Sequence, residues 1–166
     1  AKELLADAYE QLGYQAESGP WRSVYLQGAY ELRNGVPDAG GTQTATPDTI
    51  RAMTPEMLFD YMAVRLNAEK AAGKVVSMNI NLTDLDKKYT LTVENAVLNY
   101  TERQVESPDV GITLTTKTMN SIQLGETTFD DAIKDGGIKV TGDQAVFDDF
   151  LGMLDDYNFW FNIVTP

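Results

Sequence analysis

The sequence predicts an α+β fold: a five-stranded, mainly antiparallel sheet covered by helices, with a helical hairpin in front of it. Three observations carry this. Apolar and polar residues alternate with period two in four runs between Val76 and Thr115 and again over Ile138–Thr141, as strands with one buried face require. The links between the runs are short and polar, which favours antiparallel neighbours. Helical periodicity brackets these runs, in the order helix, four strands, two helices, strand, helix.

The hairpin comes first. Leu4, Leu5, Ala8 and Leu12 recur at helical spacing, and Gly13 reads as the stop. Ser18-Gly19-Pro20 opens a second helix, since proline suits a first turn. Its apolar stripe runs Trp21, Tyr25, Gly28/Ala29 and Leu32. Each helix of a lone hairpin has one neighbour, so Trp21, Tyr25 and Tyr30 are expected to pack on the following domain, an upstream domain or a second subunit. The abrupt start within the Ala1–Leu5 helix reads as a piece of a longer protein. Residues 34–53, with Gly35, Pro37, Gly40, Gly41, Pro47 and several threonines, have the composition of a linker. Thr46-Pro47-Asp48 suits one short helical turn inside it. The expected organisation is thus 1–33 hairpin, 34–53 linker and 54–166 sheet domain.

Thr54-Pro55-Glu56 is a helix start with an N-cap, a first-position proline and a carboxylate near the positive end. Met57, Leu58, Tyr61, Met62 and Leu66 follow, widened by Phe59 and Val64 into a face broad enough to sit between two layers, with Gly73 as the end. In the strands, Val76, Met78, Ile80 and Leu82 face one way and Ser77, Asn79 and Asn81 the other. Tyr89, Leu91 and Val93, then Ala96, Leu98 and Tyr100, then Val110, Ile112 and Leu114 repeat the pattern. Thr116 caps a helix carrying Met119 and Ile122. Thr128 with Asp131 caps one carrying Phe129, Ala132 and Ile133. After the Ile138–Thr141 strand, Gly142-Asp143 opens a last helix with Val146, Phe147, Phe150, Leu151 and Leu154 on one face.

Composition excludes whole classes of chemistry. The 166 residues contain no cysteine and no histidine. No thiol nucleophile, imidazole base, Ser-His-Asp triad or Cys/His zinc site can be assembled from them. No catalytic residue and no metal ligand is therefore assigned. The formal charge of -12 opposes binding to nucleic acid or an anionic membrane. No stretch approaches a transmembrane span. Nothing identifies the cellular compartment.

Local motifs add little. Asp148, Asp149, Asp155 and Asp156 fall at helical spacing on a solvated face, with no calcium loop beside them. Asp84 and Asp86 resemble the start of such a loop, but Lys88 occupies a ligand position. Gly73-Lys74-Val75 is not a phosphate-binding loop. Asn81-Leu82-Thr83 and Asn99-Tyr100-Thr101 match the glycosylation pattern, but inside strands. One feature is left: the closing helix and tail hold Phe147, Phe150, Leu151, Met153, Leu154, Tyr157, Phe159, Trp160 and Phe161, with Met57, Met62 and Met119 elsewhere. Such residues either pack a core or line an adaptable apolar pocket.

LLADAYEQLGYQAESGPWRSVYLQGAYELR resembles the end of the helical dimerisation domain of bacterial metallo-β-lactamase-type alkyl sulfatases. TPEMLFDYMAVRLN, LTDLDKKYTLTVENAVLNY, LGETTFDDAIKDGGIKVTGD and MLDDYNFWFNIVTP are similar to their C-terminal domain, which has the sterol-carrier-protein fold. AESGPWR and DDYNFWFNIVTP are the most specific runs. The resemblance implies a parent that hydrolyses alkyl sulfate esters with zinc in a separate catalytic domain; its histidine-rich zinc motif has no counterpart here, so this chain holds no cofactor. It implies that this segment binds a long-chain aliphatic ligand and contacts its own catalytic domain and a second subunit. On that reading Leu58, Met62, Phe147, Leu151, Leu154 and Trp160 are the expected ligand-binding residues. The other reading is a purely structural domain with a closed core.

Overall fold

The computed structural model describes residues 1–38, 40 and 46–165. They form two units, Ala1–Gln43 with Tyr157–Pro166 and Thr44–Asp156. The sequence reading assigns everything from residue 54 onward to the sheet domain, whereas Tyr157–Pro166 groups with the hairpin.

In the first unit, α1 (Lys2–Gln15) and α2 (Gly19–Asn34) are antiparallel neighbours. Gly13 does not stop α1; it lies inside the helix and is buried. A Cβ there would sit 2.7 Å from Leu26 Cδ2, so glycine lets the two helices close on each other. Tyr9 packs on Tyr25 with ring centroids 5.9 Å apart, and Arg33 pairs with Asp7 at 2.7 Å and Glu10 at 2.8 Å. The stripe read on α2 is mostly used up within this unit: Gly28 and Ala29 are buried, while Trp21 is 61 % and Tyr30 47 % exposed. Glu31 is buried as well. Its carboxylate accepts the backbone N–H groups of Ile163 and Thr165, each at 2.8 Å, and of Val164 at 3.4 Å. The Thr165 hydroxyl donates to it too. Val164 packs where Gly28 lacks a side chain.

The second unit starts each helix on a side-chain cap. Thr46 accepts from Thr49 N–H for α3 (Pro47–Ala52), and Thr54 from Met57 N–H for α4 (Pro55–Arg65). Of the linker reading, residues 39 and 41–45 lie outside the described residues. Helix α4 ends at Arg65, earlier than Gly73, because Leu66 leaves to bridge Leu154 and the Asn67 side chain caps a new turn through Glu69 and Lys70 N–H.

The strands are β1 (Val76–Leu82), β2 (Lys87–Glu94), β3 (Val97–Thr101), β4 (Val110–Leu114) and β5 (Ile138–Gly142), in sheet order β3-β2-β1-β4-β5. All neighbours are antiparallel except β1 and β4, which pair in parallel with Ile80 opposite Ile112. Asn95 and Ala96 both have positive φ, giving a two-residue turn between β2 and β3, so Ala96 belongs to the turn. Helices α5 (Thr116–Gln123), α6 (Phe129–Lys134) and α7 (Gln144–Gly152) start on Thr115, Thr128 and Asp143. One face of the sheet carries the core: Met78, Leu82, Tyr89, Leu91, Val93 and Val110 are almost wholly buried.

The opposite face is not simply wet. Asn79 and Thr90 are buried there, beneath the segment joining β3 to β4. Asn79 Nδ2 donates to Val105 O at 2.8 Å, and Val105 N–H reaches Thr90 Oγ1 at 3.1 Å. Alternation reports which way a side chain points, not whether a loop later covers it.

Candidate functional site

A cavity of about 80 Å³ lies within the second unit, on the core face of the sheet. Ile80 of β1, Leu91 of β2, and Ile112 and Leu114 of β4 form its floor. These four are buried because period-two alternation points them all to one face, and the registers bring them side by side. Phe59 and Met62 of α4 close one side. Met119, Ile122 and Gln123 of α5, Phe129 of α6, and Phe147 and Leu151 of α7 close the rest.

The helices that cover the floor differ in how firmly they are held. Phe59 is fixed by the Tyr89 ring at 5.1 Å and the Tyr100 ring at 5.4 Å. Tyr89 donates its hydroxyl to Glu56, which also takes Lys87 Nζ at 2.7 Å, so α4 is tied to β2. The Lys87 ammonium, followed by the Tyr89 hydroxyl, holds the Glu56 carboxyl down at a pKa of about 2. Phe129 and Phe147 stack at 4.4 Å between α6 and α7. Helix α5, by contrast, buries no residue fully; Met119, Ile122 and Gln123 are all half-buried. It is the loosest part of the cover.

The wall is apolar and uncharged. Gln123 is its one polar residue, and that side chain makes no hydrogen bond to any described residue. Nothing in such a wall can serve as acid, base or nucleophile.

Of the six residues expected to contact ligand, Met62, Phe147 and Leu151 stand on the cavity wall. Leu58 is buried but away from it, and Leu154 packs against the core cluster while bridging Leu66. Trp160 belongs to the segment that groups with the hairpin, where Glu31 holds the chain just beyond it. Density of aromatic residues along a sequence does not reveal that the chain leaves the domain after Asp156. Met119 of α5, singled out in the sequence among the methionines, stands on the wall, whereas Ile122, Gln123 and Phe129 are not singled out there; the three-residue spacing of Met119 and Ile122 is the signal that points to α5. Met57 is 51 % exposed and takes no part.

Four of the aspartates singled out in the sequence are used structurally. Asp155 takes Lys70 Nζ at 2.7 Å and Asn67 Nδ2 at 2.6 Å, Asp149 pairs with Lys74, and Asp156 with Arg65. Asp84 accepts Thr116 N–H at 3.0 Å. Among the described residues no group of three or more His, Cys, Asp or Glu is arranged to hold a metal ion. No helix among them is long and apolar enough to cross a membrane.

The family model described as alkyl sulfatase C-terminal matches residues 43–166, and the one described as alkyl sulfatase dimerisation matches residues 1–35. The chain belongs to the alkyl sulfatase family. It is 49 % identical over its whole length to a linear primary-alkylsulfatase of Pseudomonas sp.. It is 38 % identical to the alkyl/aryl-sulfatase BDS1 of Saccharomyces cerevisiae, so alkyl sulfatase sequences of this kind are not confined to bacteria. In each case it spans 25 % of the relative's length. The solved structure of the stereoselective inverting sec-alkylsulfatase Pisa1 from Pseudomonas sp. superposes with a TM-score of 0.82 at 38 % identity, over 99 % of this chain and 26 % of that one. Sterol carrier proteins are also among the structural neighbours. One from Aedes aegypti overlaps 61 % of this chain and 100 % of its own at 20 % identity, with a TM-score of 0.42, too loose to carry an argument.

Proposed function

We propose that the sheet unit of this alkyl sulfatase segment is a non-catalytic binding domain. It takes up the aliphatic chain of ligands handled by the zinc hydrolase domain of the parent protein. The hairpin unit then contributes to contacts with that domain and with a second subunit. The observation that carries the reading is the cavity: an apolar, uncharged wall set on a rigid sheet floor.

Its size adds a condition. About 80 Å³ is well below the roughly 300–1,000 Å³ of ordinary ligand pockets. A long chain enters only if the cover opens, and α5 is the element held least. Met62 and Met119 favour this, since unbranched thioethers repack around a guest. Each buried methylene contributes about 0.8 kcal/mol, so a twelve-carbon chain brings up to roughly 9 kcal/mol before the cost of ordering.

The test is a titration of the chain with alkyl ligands of six to twelve carbons, followed by heat and by melting temperature. Affinity should rise with each added carbon and then level off. In Leu151→Trp, which fills the cavity from its half-buried wall, binding should be lost while the melting transition remains. Binding no tighter than about millimolar for every length would leave the closed structural core as the better account.

A further inference from the structure

We infer that the ligand of this cavity is a neutral long-chain alcohol rather than an alkyl sulfate anion, and that Gln123 hydrogen-bonds the alcohol's hydroxyl. The inference rests on the aliphatic-binding reading above and specifies its ligand class.

The wall argues for it by what it contains. Twelve residues line the cavity, and none is Lys, Arg, Asp or Glu. Bringing a sulfate head against such a wall strips water from a full charge with no cation to replace it. The chain's net charge of -12 adds long-range repulsion. Nearby cations do not help: Lys117 of α5 lines a different groove with Arg51 of α3 and Asn120, and Arg51 is already paired with Glu126 at 3.2 Å.

Gln123 supplies what an alcohol needs. A primary amide presents a carbonyl acceptor and N–H donors, and a hydroxyl presents one donor and two acceptor lone pairs, so each satisfies the other. The Gln123 amide is uncommitted among the described residues, and the residue is half-buried on the cavity wall. A hydroxyl at the end of a chain held in the cavity would meet it on that wall. Sulfate, with three oxygens seeking donors, would find at most two on this amide.

The alcohol is what an alkyl sulfate becomes when water replaces the sulfate group. The domain would therefore stand on the product side of ester hydrolysis, drawing an insoluble alcohol away from where it is made.

The experiment compares 1-decanol with decyl sulfate, the latter below its micelle concentration, on the intact chain and on two variants. The alcohol should bind at least tenfold more tightly. Gln123→Leu should weaken decanol by about fivefold, the worth of one net hydrogen bond, with the melting temperature of the free protein unchanged. Gln123→Lys should reverse the preference toward decyl sulfate. Decyl sulfate binding as tightly as decanol to the unaltered chain overturns the alcohol assignment and leaves the aliphatic-binding reading intact. Decanol affinity that is indifferent to both variants overturns the role of Gln123. Absence of binding by either ligand overturns the aliphatic-binding reading itself.

Discussion

Asn79 and Thr90 stand opposite each other across the β1–β2 register, with the Thr90 hydroxyl 2.7 Å from Asn79 Oδ1. Together they meet the backbone of Arg103 and Val105, groups that strand pairing leaves unserved. The pair thus decides how the segment between β3 and β4 lies on the sheet.

Asn79→Ala should destabilise the sheet unit by about 1–2 kcal/mol, because it takes the partner from the Val105 carbonyl in a part-buried position and opens a small void where the buried amide lay. Thr90→Ala should cost about 1–2 kcal/mol. The double variant should cost less than the sum, since both residues serve one network. Urea unfolding of the four proteins checks this; strict additivity would mean that the two side chains act independently.

The Glu56 carboxyl, held at about 2 by Lys87 and Tyr89, links stability to acid. Its ordinary value is 4.5, so the folded state favours the charged form. The stabilisation is complete above pH 4.5 and drains away as pH falls toward about 2. After allowance for solvent at the edge of the pair, it amounts to about 1–2 kcal/mol. Glu56→Gln should be less stable than the unaltered chain at pH 7 and nearly equal to it at pH 2. Chemical denaturation across that range supplies the measurement, and a difference that does not narrow in acid would contradict the assignment.

Glu31 is held below its usual range as well. Burial pushes its carboxyl up, but the Thr165 hydroxyl and the N–H groups of Ile163, Thr165 and Val164 outweigh it. Glu31→Gln retains one acceptor and sets an NH2 group against those donors. The amides of Ile163 and Thr165 should then lose their protection in hydrogen exchange, while those of β1 and β4 keep theirs. The hairpin unit should lose about 2–4 kcal/mol. Unchanged exchange at Ile163 and Thr165 would show that something else retains the tail.

How legible this was follows from the range of the interactions. Period-two alternation and threonine caps are local, and they place all five strands and most helix starts correctly. Gly13 misleads because its role is a tertiary approach to Leu26, and glycine as a stop looks the same in sequence. The parallel pairing of β1 with β4 is non-local and leaves no mark in either strand. Among candidate ligand contacts, Met62, Phe147 and Leu151 stand on the cavity wall, and helical periodicity is the local signal that points them to it. Trp160 groups with the hairpin unit, where Glu31, far away in sequence, holds the chain just beyond it. Gln123 shows only as one polar residue on a short helix until the cavity gives it meaning.

The tail held by Glu31 also sets an order of events. In sequence the hairpin unit is a host and the sheet domain a guest inserted into it. During synthesis the guest is contiguous and can fold as soon as it emerges, but the host cannot finish. Its buried carboxylate waits, solvated and unpartnered, while the intervening chain is made. A ribosome that stalls late therefore leaves the sheet unit folded and the hairpin unit without its last contacts, with the Glu31 carboxylate lacking the partners that Ile163, Val164 and Thr165 supply. The hairpin unit thus completes its hydrogen bonds only once the chain has been made through Thr165.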